Sequence, residues 1–341
     1  MQTTMNLTRL TIATLILACA AGAQTKKILV MNGDPDFMKR LEGASDKVRL
    51  VPATGANVMN EIADADAVIG EVTPDQVRAA KNLKWVQVHS AGVERVLHKS
   101  GGTDLRDSAI ILTNNKVVQG PEIADHAMAL LLSLSRRIPR FIADREHANA
   151  SRESYDGIEL NGKTAVVIGV GGIGTQIAIR AHAFGMEVIG VDPEDKPFTP
   201  FIKRMVKPDQ LDAVLPLADV VFVSAPHTPA SHKMMGSREF DLMKPNSYFI
   251  AVSRGALYDM NALVRSLDSK RLAGAGVDVT DPEPLPETHP LWRFNNAIIT
   301  PHVAGQSDQI QGRIIANIRE NIARFADGRP LVNVVDKQKG Y

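Results

Sequence analysis

Residues Thr164 to Gly174 read TAVVIGVGGIG, a run of β-branched and small apolar residues that enters Gly169-x-Gly171-x-x-Gly174 and continues into the helical pattern TQIAIRAHAFG. A buried strand passing through a glycine turn into a helix is the opening of a dinucleotide-binding βαβ unit. The first glycine permits the tight turn, the second lets the backbone approach a pyrophosphate, and the third lets the helix pack on the strand. Phosphates are then met by free N–H groups and the positive end of the helix dipole. The next apolar run, MEVIGVD, ends in Asp192, 18 residues after Gly174. A carboxylate there accepts hydrogen bonds from the ribose hydroxyls and repels a 2′-phosphate, which predicts NAD as cofactor in preference to NADP.

Working outward, further strands are expected near Glu187–Val191, Val220–Ser224, Tyr248–Val252, Ala275–Val279 and Ile298–Thr300. On the N-terminal side short apolar runs at Ile28–Met31, Val48–Pro52, Ala67–Gly70, Trp85–Val88 and Ile110–Thr113 alternate with helix-compatible segments. Both series indicate parallel βαβ units and predict two α/β lobes with doubly wound parallel sheets. Glu122–Ile138, preceded by Gly120-Pro121 and running from an acidic start to a basic end, is the expected connecting helix. A long helix, Asp308–Phe325, could return the chain to the first lobe.

At 341 residues the chain is long enough for two domains, and 44% hydrophobic against 23% charged residues supports folded cores over disorder. The net charge of +1 gives no reason to expect nucleic acid or an anionic membrane as partner. A single cysteine, Cys19, excludes disulfide scaffolds and cysteine-ligated zinc or iron–sulfur sites. With no HExxH or EF-hand pattern, no metal is predicted.

Residues 1–23 have the layout of a secretory signal peptide: Arg9, an apolar stretch, then Ala21-Gly22-Ala23 before Gln24. The uncharged run Leu10–Thr25 is 16 residues, short of the roughly 20 needed to span a bilayer. Export, as to a periplasm, is the expectation. A buried helix or a misplaced start, with the protein cytoplasmic, is the alternative, as is lipid attachment at Cys19, although Leu17 fits a lipobox poorly.

Ligands of open α/β sheets bind beyond the carboxyl ends of the strands, where three polar residues stand: Arg254 after YFIAVS, Glu283 in TDPEP after AGVDV, and His302 after AIITP. A histidine to exchange a proton, a carboxylate to hold it and a guanidinium to grip a substrate carboxylate suit interconversion of a hydroxyl and a ketone. Taken singly, each reads more readily as a surface arginine, a solvated loop glutamate and a structural histidine; their common position at strand ends is what points to a site.

The chain closely resembles the D-isomer-specific 2-hydroxyacid dehydrogenases, the family of glyoxylate/hydroxypyruvate reductases, D-lactate dehydrogenases and phosphoglycerate dehydrogenases. The resemblance runs from Lys27 to Asp336 and is carried by KWVQVHSAGVERV, EIADHAMALLLSLSRR, GKTAVVIGVGGIG, VSAPHTPAS, VSRGALYD, AGVDVTDPEPLP, HPLW and IITPHVAG. It implies a Rossmann NAD-binding domain at 122–306 inserted into a flavodoxin-like substrate domain formed by 24–121 and 307–341. It implies a catalytic trio of Arg254, Glu283 and His302, and a carboxylate-binding loop at Ser90, Ala91, Gly92 and Val93. It also implies cofactor contacts from Gly169, Gly171, Gly172, Ile173, Gly174, Asp192, Ala225 and Pro226, nicotinamide contacts from Asp278, and a homodimer. Glu283, where a glutamine would stand in the formate dehydrogenase branch, argues for proton transfer.

Three departures stand out. Ala251 replaces the family's usual asparagine, a common tryptophan is missing from Arg145–Gly157, and with the sequence ending at Tyr341 a serine-controlled phosphoglycerate dehydrogenase with a C-terminal sensing domain is not the expectation. His89 could reach the cleft or serve in packing; His126 and His182 read as structural, and His227 as a backbone neighbour of the cofactor. The leading functional expectation is an NAD-dependent oxidoreductase acting on a small 2-keto or D-2-hydroxy acid. The alternative is a non-catalytic NAD-binding regulatory or ligand-binding protein that keeps the fold. Export sits awkwardly with the first, because free NAD(H) is expected to be scarce outside the cytoplasm.

Overall fold

The computed structural model describes residues 25–99, 102–143 and 156–341. The leader with Cys19, and most of the segment lacking the tryptophan, lie outside the described residues.

Strands β1 (Lys26–Met31), β2 (Val48–Ala53), β3 (Ala67–Ile69), β4 (Trp85–Gln87) and β5 (Ile111–Thr113) form a parallel sheet of order β2-β1-β3-β4-β5. This is the flavodoxin-like order. Strands β6 (Thr164–Ile168), β7 (Glu187–Val191), β8 (Arg204–Val206), β9 (Val220–Val223), β10 (Ser247–Ala251), β11 (Leu272–Val277) and β12 (Ala297–Ile299) form the second, of order β12-β11-β10-β9-β6-β7-β8. From β6 outward that is the Rossmann order with one extra strand, and its switch point lies between β6 and β9. Two doubly wound parallel sheets were the expectation, and both are present. The sequence reading missed β8, a three-residue edge strand whose burial rises from exposed Arg204 to buried Val206, too short to show a period.

Two helices join the lobes. Gly120–Ser135 places Ile123, Ala127, Leu130, Leu131 and Leu134 in the core of the second sheet. Ile310–Asp327 returns to the first sheet, where Ile310, Ile314, Ile315, Ile318 and Ile322 pack with Ile28, Val30 and Trp85. Its apolar residues recur at three- and four-residue spacing, and the helix ends at Gly328 in the left-handed conformation, φ 70°. The linker is tight against the glycine turn: a Cβ on Gly120 would come within 2.8 Å of the Gly172 carbonyl oxygen. The carboxyl ends of both sheets therefore face one cleft. Among the described residues no helix is long and apolar enough to cross a membrane.

Candidate active site

The glycine turn shows which of its residues the fold itself requires. Gly169 has φ 87°, and a Cβ there would lie 2.5 Å from Ala225 Cα. A Cβ on Gly174 would overlap the carbonyl of Gly169. Gly171 differs: a Cβ there meets nothing within 4 Å, so the chain's own packing does not demand glycine. Gly171 is the N-cap of the helix Gly172–Ala183 and supplies no side-chain cap, so the space in front of the first helical N–H groups is open to an anion. Gly172 faces the first lobe, where a Cβ would come within 2.7 Å of Val117 Cα, and Ile173 is half-buried against the core. At the end of β7, Asp192 is 6% exposed; its Oδ2 accepts the Val170 N–H at 2.8 Å, its Oδ1 the Glu194 N–H at 2.9 Å, and Lys196 Nζ lies 3.2 Å from Oδ1. The turn, the helix terminus and the carboxylate thus fit a dinucleotide. Ala225 packs on the turn, and the Pro226 carbonyl accepts from Ser231 Oγ at 2.7 Å.

Arg254, Asp278 and His302 follow β10, β11 and β12, adjacent strands spaced about 4.8 Å apart. His302 Nδ1 lies 2.6 Å from Glu283 Oε1, with both side chains about two-fifths exposed to the cleft. That contact leaves Nε2 as the nitrogen available to a substrate. His302 has φ 55°, a conformation that costs a non-glycine residue roughly 1 kcal/mol or more.

The neighbouring backbone holds it there through Asp278, which is 1% exposed. The Asp278 carbonyl accepts the His302 N–H at 2.9 Å. Its Oδ1 accepts Thr300 Oγ1 at 2.6 Å and the Val303 N–H at 3.0 Å, while Oδ2 accepts the Ala304 N–H at 3.0 Å. His126 completes the cluster, with Nε2 2.9 Å from Thr300 Oγ1. Asp278 is thus turned inward, clamping the loop that carries His302.

Arg254 reaches across the cleft. Its Nε donates to Glu94 Oε1 at 2.5 Å and its Nη1 to the Ser253 carbonyl at 2.7 Å. The guanidinium lies directly against Gly92, where a Cβ would come 2.9 Å from Arg254 Cζ. The loop of Ser90, Ala91, Gly92 and Val93 therefore meets Arg254, and two internal bonds shape it: Ser90 Oγ donates to the Gly92 carbonyl at 2.6 Å and Asn114 Nδ2 to the Ala91 carbonyl at 2.6 Å. Val93 is buried in the core of the first lobe. The adjacent His89 packs its ring on Phe37 at 5.3 Å between centroids, and burial holds its pKa below the ordinary histidine value. Ala251 is fully buried, filled in by apolar neighbours.

The contact of Glu94 with Arg254, 160 residues apart, escaped the sequence reading; an acidic residue beside the carboxylate loop was the one available signal. The role of His126 beside Asp278 was equally hidden. His182 is exposed at the end of its helix, and His227 packs its ring against His232, their nitrogens 3.2 Å apart.

Residues 128–304 match the family model described as D-isomer specific 2-hydroxyacid dehydrogenase, NAD binding domain. The chain is 31% identical over 317 residues to the D-3-phosphoglycerate dehydrogenase of Methanocaldococcus jannaschii, covering 91% of this chain and 59% of that protein. It spans between 53% and 64% of the length of the first such relatives it matches. Among solved structures, it is similar to the TT0316 protein of Thermus thermophilus, with 31% identity, a TM-score of 0.72, and coverage of 91% of this chain and 99% of that one. It is also similar to the NADPH-dependent glyoxylate/hydroxypyruvate reductase of Sinorhizobium meliloti, solved with NADP and sulfate, at 26% identity and TM-score 0.77, covering 93% and 100% of the two chains. With its glycine turn, strand order and matched sequence, the chain belongs to the D-isomer specific 2-hydroxyacid dehydrogenase family.

Proposed function

We propose that the chain interconverts a small 2-keto acid and its D-2-hydroxy acid. The observation that carries this reading is the 2.6 Å contact of His302 with Glu283, two strand ends along the sheet from Arg254, whose guanidinium lies against Gly92. Arg254 and the N–H groups of residues 90–93 bind the substrate carboxylate. Arg254 also stabilises the negative charge that grows on the keto oxygen. His302 gives its Nε2 proton to that oxygen during reduction and takes it back during oxidation. Glu283, held on Nδ1, fixes the ring and stabilises its charged form. NADH, when bound, supplies the hydride that reduces the carbonyl carbon. The Glu283–His302 pair favours catalysis over the non-catalytic alternative, which needs no proton transfer.

NAD is the proposed cofactor, supported by a buried Asp192 where a 2′-phosphate would sit; similar proteins use either cofactor, among them the NADP-bound Sinorhizobium meliloti enzyme. The N-terminal 23 residues are proposed to direct export, and N-terminal sequencing after fractionation would find Gln24 first. A homodimer is proposed by family likeness, to be checked by sedimentation. The central test is oxidation of NADH and NADPH by the purified protein with glyoxylate, hydroxypyruvate, pyruvate and longer 2-keto acids. Turnover that disappears in His302→Ala supports the reading; turnover that survives it removes His302 from the mechanism.

A further inference from the structure

Residues 336–341, DKQKGY, have no task in the function proposed above, yet they are tightly placed. Val335, just before them, is buried and donates its N–H to the Leu112 carbonyl at 2.9 Å, beside β5. The segment then closes on itself. The Asp336 N–H donates to the Tyr341 carbonyl at 2.9 Å and the Gly340 N–H to the Asp336 carbonyl at 2.8 Å. Asp336 Oδ1 accepts the N–H groups of Gln338 at 3.0 Å and Lys339 at 3.1 Å. Lys337 staples this turn to the first lobe, its ammonium donating to the carbonyls of Leu105 at 2.8 Å and Ser108 at 2.6 Å.

From that anchor the segment reaches the second lobe. Lys339 Nζ lies 2.7 Å from Glu194 Oε1, and the Tyr341 hydroxyl donates to the same oxygen at 3.1 Å. Glu194 is two residues beyond Asp192, the carboxylate assigned to the adenosine ribose. Burial and the hydrogen bond to Glu194 raise the Tyr341 phenol pKa above its ordinary value. On the opposite rim, a Cβ on Gly340 would lie 3.9 Å from Thr228 Cγ2, in the loop after β9, and 3.8 Å from His98 Nε2 of the first lobe. The same six residues thus bond to Glu194 on one side and run beside Thr228 and His98 on the other.

We propose that residues 336–341 form a strap over the adenosine end of the dinucleotide site, with Tyr341 and Lys339 as positioning residues for the cofactor. The proposal rests on the reading of Asp192 as the ribose acceptor. The exposed Lys339–Glu194 pair contributes little stability by itself; its significance is where it puts the chain. Because the turn is already ordered by its own hydrogen bonds and the Lys337 anchor, contacts with adenosine are made without a fresh entropic cost. A strap fixed to the first lobe and resting on the second also couples cofactor binding to the spacing of the two.

The test is binding of NADH, followed by its fluorescence, to the intact chain, to a chain lacking residues 337–341, and to Tyr341→Ala and Lys339→Ala, which keep the Lys337 anchor. The NADH dissociation constant is expected to rise at least about fivefold in the deletion and in Tyr341→Ala. Adenosine monophosphate, used as a competing probe, is expected to lose affinity in the same ratio, and nicotinamide mononucleotide to lose none. The melting temperature of cofactor-free Tyr341→Ala should match that of the intact chain, separating a lost contact from misfolding. Unchanged NADH affinity in all variants overturns the strap and leaves the proposed function standing. Tighter binding after deletion also overturns it, since the segment would then obstruct the site. Failure of the intact chain to bind NADH overturns the strap together with the cofactor reading.

Discussion

Replacing Gly92 by alanine probes a point where the loop after β4 meets Arg254, the residue proposed to bind the substrate carboxylate. A Cβ built there lies 2.9 Å from Arg254 Cζ and 2.6 Å from Glu94 Oε2, and it overlaps Arg254 Nη2. Ordinary contact needs about 3.4 Å or more between such atoms, so the guanidinium nitrogen nearest the new methyl must retreat by more than about 1 Å. Gly92 is not among the glycines in the left-handed region, so its backbone tolerates a side chain, and the atoms in the way end a flexible arginine. Folding stability should therefore change by less than about 1 kcal/mol, partly because alanine narrows the unfolded ensemble. Catalysis should not escape. A misplacement of about 1 Å at a positioning group costs roughly a hundredfold, close to 2.7 kcal/mol of transition-state stabilisation. The assay is steady-state NADH oxidation with the best 2-keto acid, alongside thermal unfolding of both proteins. The expected result is kcat/KM down about a hundredfold, with the melting temperature nearly unmoved. Native kcat/KM in a folded Gly92→Ala protein would refute the placement of the substrate carboxylate between Arg254 and this loop.

Asp278→Asn replaces one acceptor oxygen with a donor facing N–H and O–H groups; it should destabilise the fold by roughly 2 kcal/mol and lower kcat at least tenfold as the His302 loop relaxes, and an unchanged kcat would remove Asp278 from the clamp. Asp192→Ala should lower the preference for NADH over NADPH by about tenfold or more, measured as the ratio of kcat/KM values; a native protein that already prefers NADPH would contradict the assignment. His89 is held neutral by burial, with its folded pKa below the unfolded value near 6.5, so its contribution to stability is complete above that pH and declines as the pH falls below it. Urea unfolding between pH 8 and 5 should show a flatter decline for His89→Gln than for the native chain, and identical slopes would sink the idea.

Much of this protein is written along single stretches of chain. TAVVIGVGGIG followed by MEVIGVD announces the cofactor-binding unit because strand, turn, helix and carboxylate all lie within 30 residues and each role depends on local geometry. The alternation of short apolar runs with helical segments gives two parallel-sheet lobes for the same reason: buried strands and one-sided helices impose periods that composition cannot hide. Strand ends are legible too, and so Arg254, Glu283 and His302 stand out as polar residues at the exits of apolar runs.

Only the tertiary structure decided what these residues touch. That Glu94 holds Arg254, that His126 and Thr300 join the Asp278 clamp, and that DKQKGY returns to Glu194 are contacts between segments far apart in sequence. No periodicity records such pairs, because a side chain's partner across a cleft is set by how sheets and linkers pack. Gly92 illustrates the division: the family resemblance put it in an expected carboxylate loop, while the close approach of Arg254, which a methyl group would displace, is a property of the assembled lobes alone.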